Sequence, residues 1–399
     1  MARRNGGFVG QDGLDAPDIP TGVAGTAGEL SVSVAFTAPS DAGTSAITNF
    51  VAQVSINDTA YSAGSNTGTS SPIVVSSLTA GTAATAKVWA INAYGTSAPS
   101  DASASFTPAA QARALFSGGT VDDGTTPSNV IDYVTIATTG NASDFGDLTV
   151  ARARGGGSGA ASTTRGVFGG GTANDSLNVI DYVTIASTGN ALDFGDLTVA
   201  RYDNSGLSNS TRGIWAGGYD SNVIDYITIA SVGNATDFGN RSVTGASLGA
   251  FASSTRGVSG GAPSGSNVID YITIASVGNS TDFGNLTAGG NYGSGCSSGT
   301  RGVFLGGFRT SSVVTMDYVT IASTGNASDF GDLQSAPSQN SLGTSSSTRG
   351  LCAATFGTGT DIQYITIAST GNALDFGNLT DDRHLIPHQA VSSGHGGLQ

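Results

Sequence analysis

The chain has 399 residues, 60 of them Gly, and only 11% are charged. Its charge comes from 14 Arg and 28 Asp, with Lys87 and Glu29 single examples of their kinds, so the residues that usually build exposed helix faces are nearly missing. A net charge of −14, with no basic run beyond Arg3-Arg4, excludes a nucleic-acid partner, and no apolar stretch is long enough to span a membrane.

The composition therefore predicts an all-β protein, and the length predicts two or three domains. The opening Met1-Ala2-Arg3-Arg4-Asn5-Gly6-Gly7-Phe8 has basic residues but no apolar core segment, so a signal peptide is not expected. Residues 1–15 read as an arm without periodicity. Its only sizeable anchors are Phe8 and Val9, so it is not expected to fold alone. Arg3, Arg4 and Phe8 are its candidate docking residues, on a neighbouring protein or between copies of this chain in a homo-oligomer.

From Ala16 the pattern becomes Pro-punctuated alternation. Leu30, Val32, Val34 and Phe36 fall at every second position, as a half-buried strand requires. Ala38 to Gly43 is a turn cluster, and further strands are predicted at Phe50 to Ile56, Ile73 to Val75 and Lys87 to Ala93. These spacings suit a β-sandwich over residues 16–109. The runs Pro17-Asp18-Ile19-Pro20, Ala38-Pro39-Ser40-Asp41 and Asn92-Ala93-Tyr94-Gly95-Thr96 resemble those of a fibronectin type III domain. The family's core Trp is replaced by Phe36 and its corner Tyr by Ala84, which implies a less stable version of the same fold. No Arg-Gly-Asp triplet supports integrin-type adhesion.

Residues 110–399 repeat themselves. Asp-Phe-Gly begins at Asp144, Asp193, Asp237, Asp282, Asp329 and Asp375, at intervals of 49, 44, 45, 47 and 46 residues. Each copy follows a Tyr-x-Thr-Ile-Ala run and a Gly-Asn turn. Ahead of these lies Arg-Gly with an apolar pair and more glycines, as in Arg165-Gly166-Val167-Phe168-Gly169. Together with a small-residue first strand, such as Ser158 to Ser162, each unit reads as four short strands. That period and strand number predict a β-propeller of six blades. The first unit lacks its own first strand, and residues 387–394 stand in that phase at the other end of the repeats. They are expected to close the first blade and remove an open edge.

The order of apolar-Gly-Gly, Tyr strand and aromatic strand resembles kelch-type propellers. The phrase Asn178-Val179-Ile180-Asp181-Tyr182 through Asp193-Phe194-Gly195 resembles repeats in virion proteins of marine tailed phages, which also join an arm and a fibronectin-like module to such repeats. That resemblance implies a virion localisation, other virion proteins of the capsid or tail as partners, and a role as fibre, adhesin or decoration subunit.

Chemistry finds little support. A kinase would need a strand lysine and a His-Arg-Asp loop, but the only Lys is Lys87 and no His precedes His384. Asp-Phe-Gly is thus read as structural, its Asp accepting local backbone hydrogen bonds and its Phe filling the layer between blades. His384, His388 and His395 do not suit a metal site: Pro387 interrupts them and His395 has the opposite strand parity. No cofactor is expected. Cys296 and Cys352 read as small apolar fillers of inner strands, Trp215 as core, and the six strand-starting Arg as partners of Asp or loop carbonyls. The connections that vary between repeats fall on one face, where recognition usually sits. Tyr202, Tyr219, Tyr292 and Phe308 are its candidate ligand contacts, with host surface polysaccharide as the expected ligand class. A non-enzymatic binding protein is expected; the competing expectation is a surface-displayed enzyme acting on polysaccharide, for which the many Asp leave carboxylate pairs available.

Overall fold

The computed structural model describes residues 14–56, 60–121, 126–246, 249–262, 265–290, 293–308, 311–355, 359–382 and 388–398. Arg3, Arg4, Phe8, Tyr292 and His384 lie outside the described residues. The described chain is all-β, with one 3-10 turn at Gly396–Leu398 and no α-helix. It divides into two units, 1–111 and 112–399.

The first unit holds β1 (Thr21–Gly28), β2 (Ser31–Thr37), β3 (Asn49–Ile56), β4 (Gly64–Gly68), β5 (Ile73–Val75), β6 (Ala84–Asn92) and β7 (Gly95–Thr96). They form two antiparallel sheets, ordered β1-β2-β5 and β4-β3-β6-β7. Val32, Val34 and Phe36 from one sheet meet Phe50, Ala52, Val54 and Val88 from the other in a single core. Phe36 lies 4.7 Å from the Phe50 ring, so it serves as the aromatic centre of this core. Leu30 breaks the predicted alternation. It sits in the β1–β2 turn with φ of 44° and only partial burial, because the chain must reverse there. Beyond β6 the edge is covered by a serine series. Ser97, Ser100 and Ser103 each donate a backbone N–H to β6 carbonyls, while their Oγ atoms accept from the N–H of Ala90, Val88 and Ala86 at 2.9–3.0 Å. One residue in three thus satisfies the edge that the ladder leaves open.

In the second unit six main sheets follow one another, one per sequence repeat, beside a two-stranded ladder of Thr120–Val121 with Thr126–Pro127. Repeat two is representative. Its strands are Ala160–Ala161, Arg165–Gly169, Val179–Thr184 and Leu192–Asp196, hydrogen-bonded in chain order and antiparallel. The first repeat supplies Arg113–Ser117, Val130–Thr135 and Ser143–Asp147, and its inner strand is Gln389–Ser392, antiparallel to Arg113–Ser117. One detail differs from the sequence reading. The small-residue segment expected as one strand from Ser158 to Ser162 is split, and Gly157–Ser158 pairs in parallel with Gln389–Ser392 before the chain crosses into the next sheet. The Gly155-Gly156-Gly157 run permits this crossing: Gly156 and Gly157 have φ of 86° and 89°.

Neighbouring repeats are tied by the residues that make the repeat recognisable. In the Thr-Gly-Asn turn of repeat two, Gly189 N donates to Phe145 O and Ala191 N to Asp147 O, both at 2.7 Å. Asp147 N returns a bond to Asn190 Oδ1 at 3.1 Å. This close approach explains the Gly of Asp-Phe-Gly. A Cβ on Gly146 would stand 2.5 Å from Gly189 O, and its φ is 143°. The strand-starting Arg reaches forward as well: Arg165 Nη1 donates to Ile229 O at 2.7 Å and Arg212 Nη1 to Ile274 O at 2.8 Å. The series returns on itself, since Arg349 Nη1 donates to Ile136 O at 2.8 Å and Gly140 N to Phe376 O at 2.8 Å. The sixth repeat therefore meets the first as the others meet their successors.

Candidate functional site

The aromatic and charged residues of the repeat are mostly committed to this architecture. In repeat two the Arg165 guanidinium lies 4.4 Å from the Tyr182 ring centroid. Tyr182 in turn meets Phe194 edge-on at 5.8 Å, and the same Arg–Tyr–Phe series recurs in every repeat. The Phe of each Asp-Phe-Gly is buried, as expected. The Asp is not what the sequence suggested. Asp144, Asp193, Asp237, Asp282, Asp329 and Asp375 are exposed, and among the described residues their carboxylates accept no hydrogen bond.

The structural carboxylate is instead the Asp that precedes the Tyr. Asp132, Asp181, Asp225, Asp270 and Asp317 are buried, and each accepts a hydroxyl from the preceding repeat, as Asp181 Oδ1 does from Thr149 Oγ1 and Asp225 Oδ1 from Thr198 Oγ1, both at 2.5 Å. Arg152 and Arg201 add ion pairs to Asp181 at 3.0 Å and to Asp225 at 2.9 Å, with both partners buried. Burial pulls both guanidinium pKa values down, and the facing carboxylates oppose that shift. The Asp sits in an apolar strand, between Ile (Met316 in repeat five) and Tyr. That placement was the available signal, because a charge there is kept only when paired.

The two described histidines, His388 and His395, are structural as well. His388 is fully buried, with Nδ1 3.1 Å from Ser117 Oγ and Nε2 3.1 Å from Gly170 O. Burial, then Arg152, holds its pKa well below the usual imidazole range. His395 Nδ1 accepts the N–H of Gly397 at 3.2 Å while Nε2 faces Ala161 O at 3.1 Å, and burial pushes its pKa down to about 4. Cys296 and Cys352 are buried free thiols with raised pKa values. Among the described residues no group of three or more His, Cys, Asp or Glu is placed to hold a metal ion.

On the variable connections the structure brings two of the candidate contacts together. Tyr202, on the link into repeat three, stacks on Tyr219, in the turn between the second and third strands of that repeat, at 5.0 Å and 17°. The Arg154 guanidinium lies 4.5 Å from the Tyr202 ring centroid and pairs with Asp203 at 2.6 Å. Desolvation holds the Tyr202 phenol above its ordinary value, against the pull of Arg154. Tyr219 is half exposed. Phe308 ends the strand Arg301–Phe308 of repeat five, opposite Ser312. Tyr292 lies outside the described residues. Trp215, with no exposure, is core. Arg154 and Asp203 were missed because nothing local distinguishes them; only the fold brings the two links together.

No protein-family model matches the chain, and no curated protein matches it. Among solved structures, the chain is similar to the crystal structure of domains A168-A170 from titin, at 28% identity over 24% of this chain and 33% of that one, with a TM-score of 0.22. A similarity at that level carries no argument about fold or function. No described helix is long and apolar enough to cross a membrane.

Proposed function

We propose that the chain is a non-enzymatic virion appendage of a tailed phage: a fibronectin type III-like sandwich followed by a six-bladed, kelch-like β-propeller that presents a binding face. The two-sheet core of the first unit and the head-to-tail series of six sheets support the architecture. The repeat phrase and its likeness to phage virion repeats support the setting. In this reading the arm and sandwich dock on the particle, through Arg3, Arg4 and Phe8, and the propeller faces outward as fibre, adhesin or decoration subunit. The observation that carries the reading is the use made of the repeated polar and aromatic residues. The strand-starting Arg, the Tyr–Phe pairs, the buried Asp and His388 are satisfied inside the scaffold. Variation is left to the connections on one face, where binding specificity is most readily changed without cost to the frame. Two measurements test it. Immunogold labelling with an antibody to residues 112–399 should decorate intact particles, and its absence there would sink the virion assignment. Incubation with host surface polysaccharide should yield no new reducing ends; their appearance would replace the non-enzymatic reading with a hydrolase.

A further inference from the structure

Tyr202 and Tyr219 occupy a backbone bridge that the preceding repeat makes without aromatic side chains. In repeat two, Thr172 N donates to Ala153 O at 2.9 Å, and one repeat later Tyr219 N donates to Tyr202 O at 2.8 Å. The bridge therefore needs neither ring. Arg154 and Asp203 also hold equivalent places in successive repeats, each two residues after the buried Arg152 and Arg201. They are locked to one another twice, through Asp203 N to Arg154 O at 2.7 Å and through the guanidinium–carboxylate pair. Among the described residues five non-glycine positions have a left-handed backbone, and three of them, Arg154 (φ 59°), Asp203 (φ 56°) and Asp220 (φ 53°), meet around these rings. Strained backbone persists where the surroundings over-determine it, and it gathers at ligand-binding positions. Packing alone does not account for the cluster, because its outermost ring is half exposed.

We propose that the Arg154–Tyr202–Tyr219 stack is a carbohydrate platform, which takes the C–H face of a neutral pyranose on Tyr219 and offers Asp220 to the sugar hydroxyls. The inference rests on the binding-face reading above and gives that face a site and a ligand class. Arg154 lies against the Tyr202 ring and is paired with Asp203, so its charge is neutralised within the cluster. The remaining exposed carboxylate, Asp220 beside Tyr219, disfavours anions. A flat aromatic face with one hydrogen-bonding group at its edge matches a ring that is apolar on its face and hydroxylated around its rim.

Saturation-transfer NMR on the full chain tests the site with three probes, cellohexaose, laminarihexaose and maltohexaose, and tetramethylammonium as the competing cation. At least one hexasaccharide should bind. Tyr219→Ala should weaken it about tenfold or more, and Tyr219→Phe, which keeps the ring face, should stay within about threefold of the parent. Unchanged melting of both variants, expected for a half-exposed side chain, would show that the scaffold is intact. Binding of none of the three sugars, or of tetramethylammonium alone, overturns the platform. A sugar bound equally well by Tyr219→Ala also overturns it, while leaving the binding-face reading in place. New reducing ends would overturn the non-enzymatic reading alone.

Discussion

Gln389 is the residue through which the last strand is stitched to repeat two, and its replacement by Leu tests the closure most sharply. Its side chain is fully buried. Oε1 accepts from Gly169 N at 2.9 Å, and Nε2 donates to Gly155 O at 2.8 Å, Gly169 O at 3.1 Å and Asn204 Oδ1 at 3.2 Å. Leu fills a similar volume but answers none of these groups. The N–H of Gly169 and the carbonyl of Gly155 would be left buried without this partner, at about 1–3 kcal/mol each. Together with the weaker losses at Gly169 O and Asn204, the substitution should cost about 4 kcal/mol. For a unit of this size that corresponds to a fall of about 10 °C in melting temperature. Differential scanning calorimetry of the full chain should show the shift in the transition of residues 112–399, with that of the sandwich unmoved. A fall of less than about 3 °C would refute the reasoning, since it would mean the stitched groups find other partners or are already wet.

Three further outcomes follow from the same contacts. Ending the chain after residue 387 should remove the inner strand of the first sheet, with the buried Ala390 and Val391, and lower the melting temperature further than Gln389→Leu does; equal melting of the two would show that the strand contributes only through Gln389. Gly146→Ala should destabilise by about 2–4 kcal/mol and Gly140→Ala by about half of that. Both positions have a φ of the glycine type, but only the first new Cβ would strike a neighbouring carbonyl, at 2.5 Å, and urea unfolding with equal midpoints would discount the contact. His388 and His395 have lowered pKa values in the fold, so the unfolded chain takes up protons that the folded one refuses. Stability should then fall as pH drops below about 6.5, by roughly 1.4 kcal/mol per pH unit for each such His, and for His395 down to about 4. His388→Asn should flatten the decline in melting temperature between pH 7 and 5, and an unaltered slope would argue that His388 already takes up its proton in the folded chain.

The all-β class, the repeat spacing and the strand at the far end of the repeats were legible because each rests on local composition and phase. Alternation placed Val32, Val34 and Phe36 in the core correctly, and it failed at Leu30, where the turn required a residue to leave the pattern. The role of Asp-Phe-Gly was only half readable. Phe burial follows from its chemistry, whereas the reason for the Gly lies in a turn of the next repeat, more than 40 residues away. The Asp was misjudged because a recurrent motif drew the inference while the buried Asp stood in an equally recurrent but apolar run. Tyr202 and Tyr219 could be named as candidates from variability alone. Their partnership with Arg154 could not, because the three lie on three separate connections.

The forward reach of Arg165 to Ile229, repeated around to Arg349 and Ile136, has a consequence for assembly. Each repeat offers a donor side and an acceptor side, so the contact is directional and its two partners differ. Such a contact has no internal rule that stops it at the boundary of one molecule. Within a single chain it ends because the last strand finds Arg113–Ser117 of the same molecule. If that strand is released while the rest stays folded, the edge it leaves and the strand itself are complementary across copies. At high concentration the same bonds would then be made between molecules, as exchanged dimers or open filaments. The four residues Gln389–Ser392 thus determine, besides how stable the scaffold is, whether its valence is spent inward or outward.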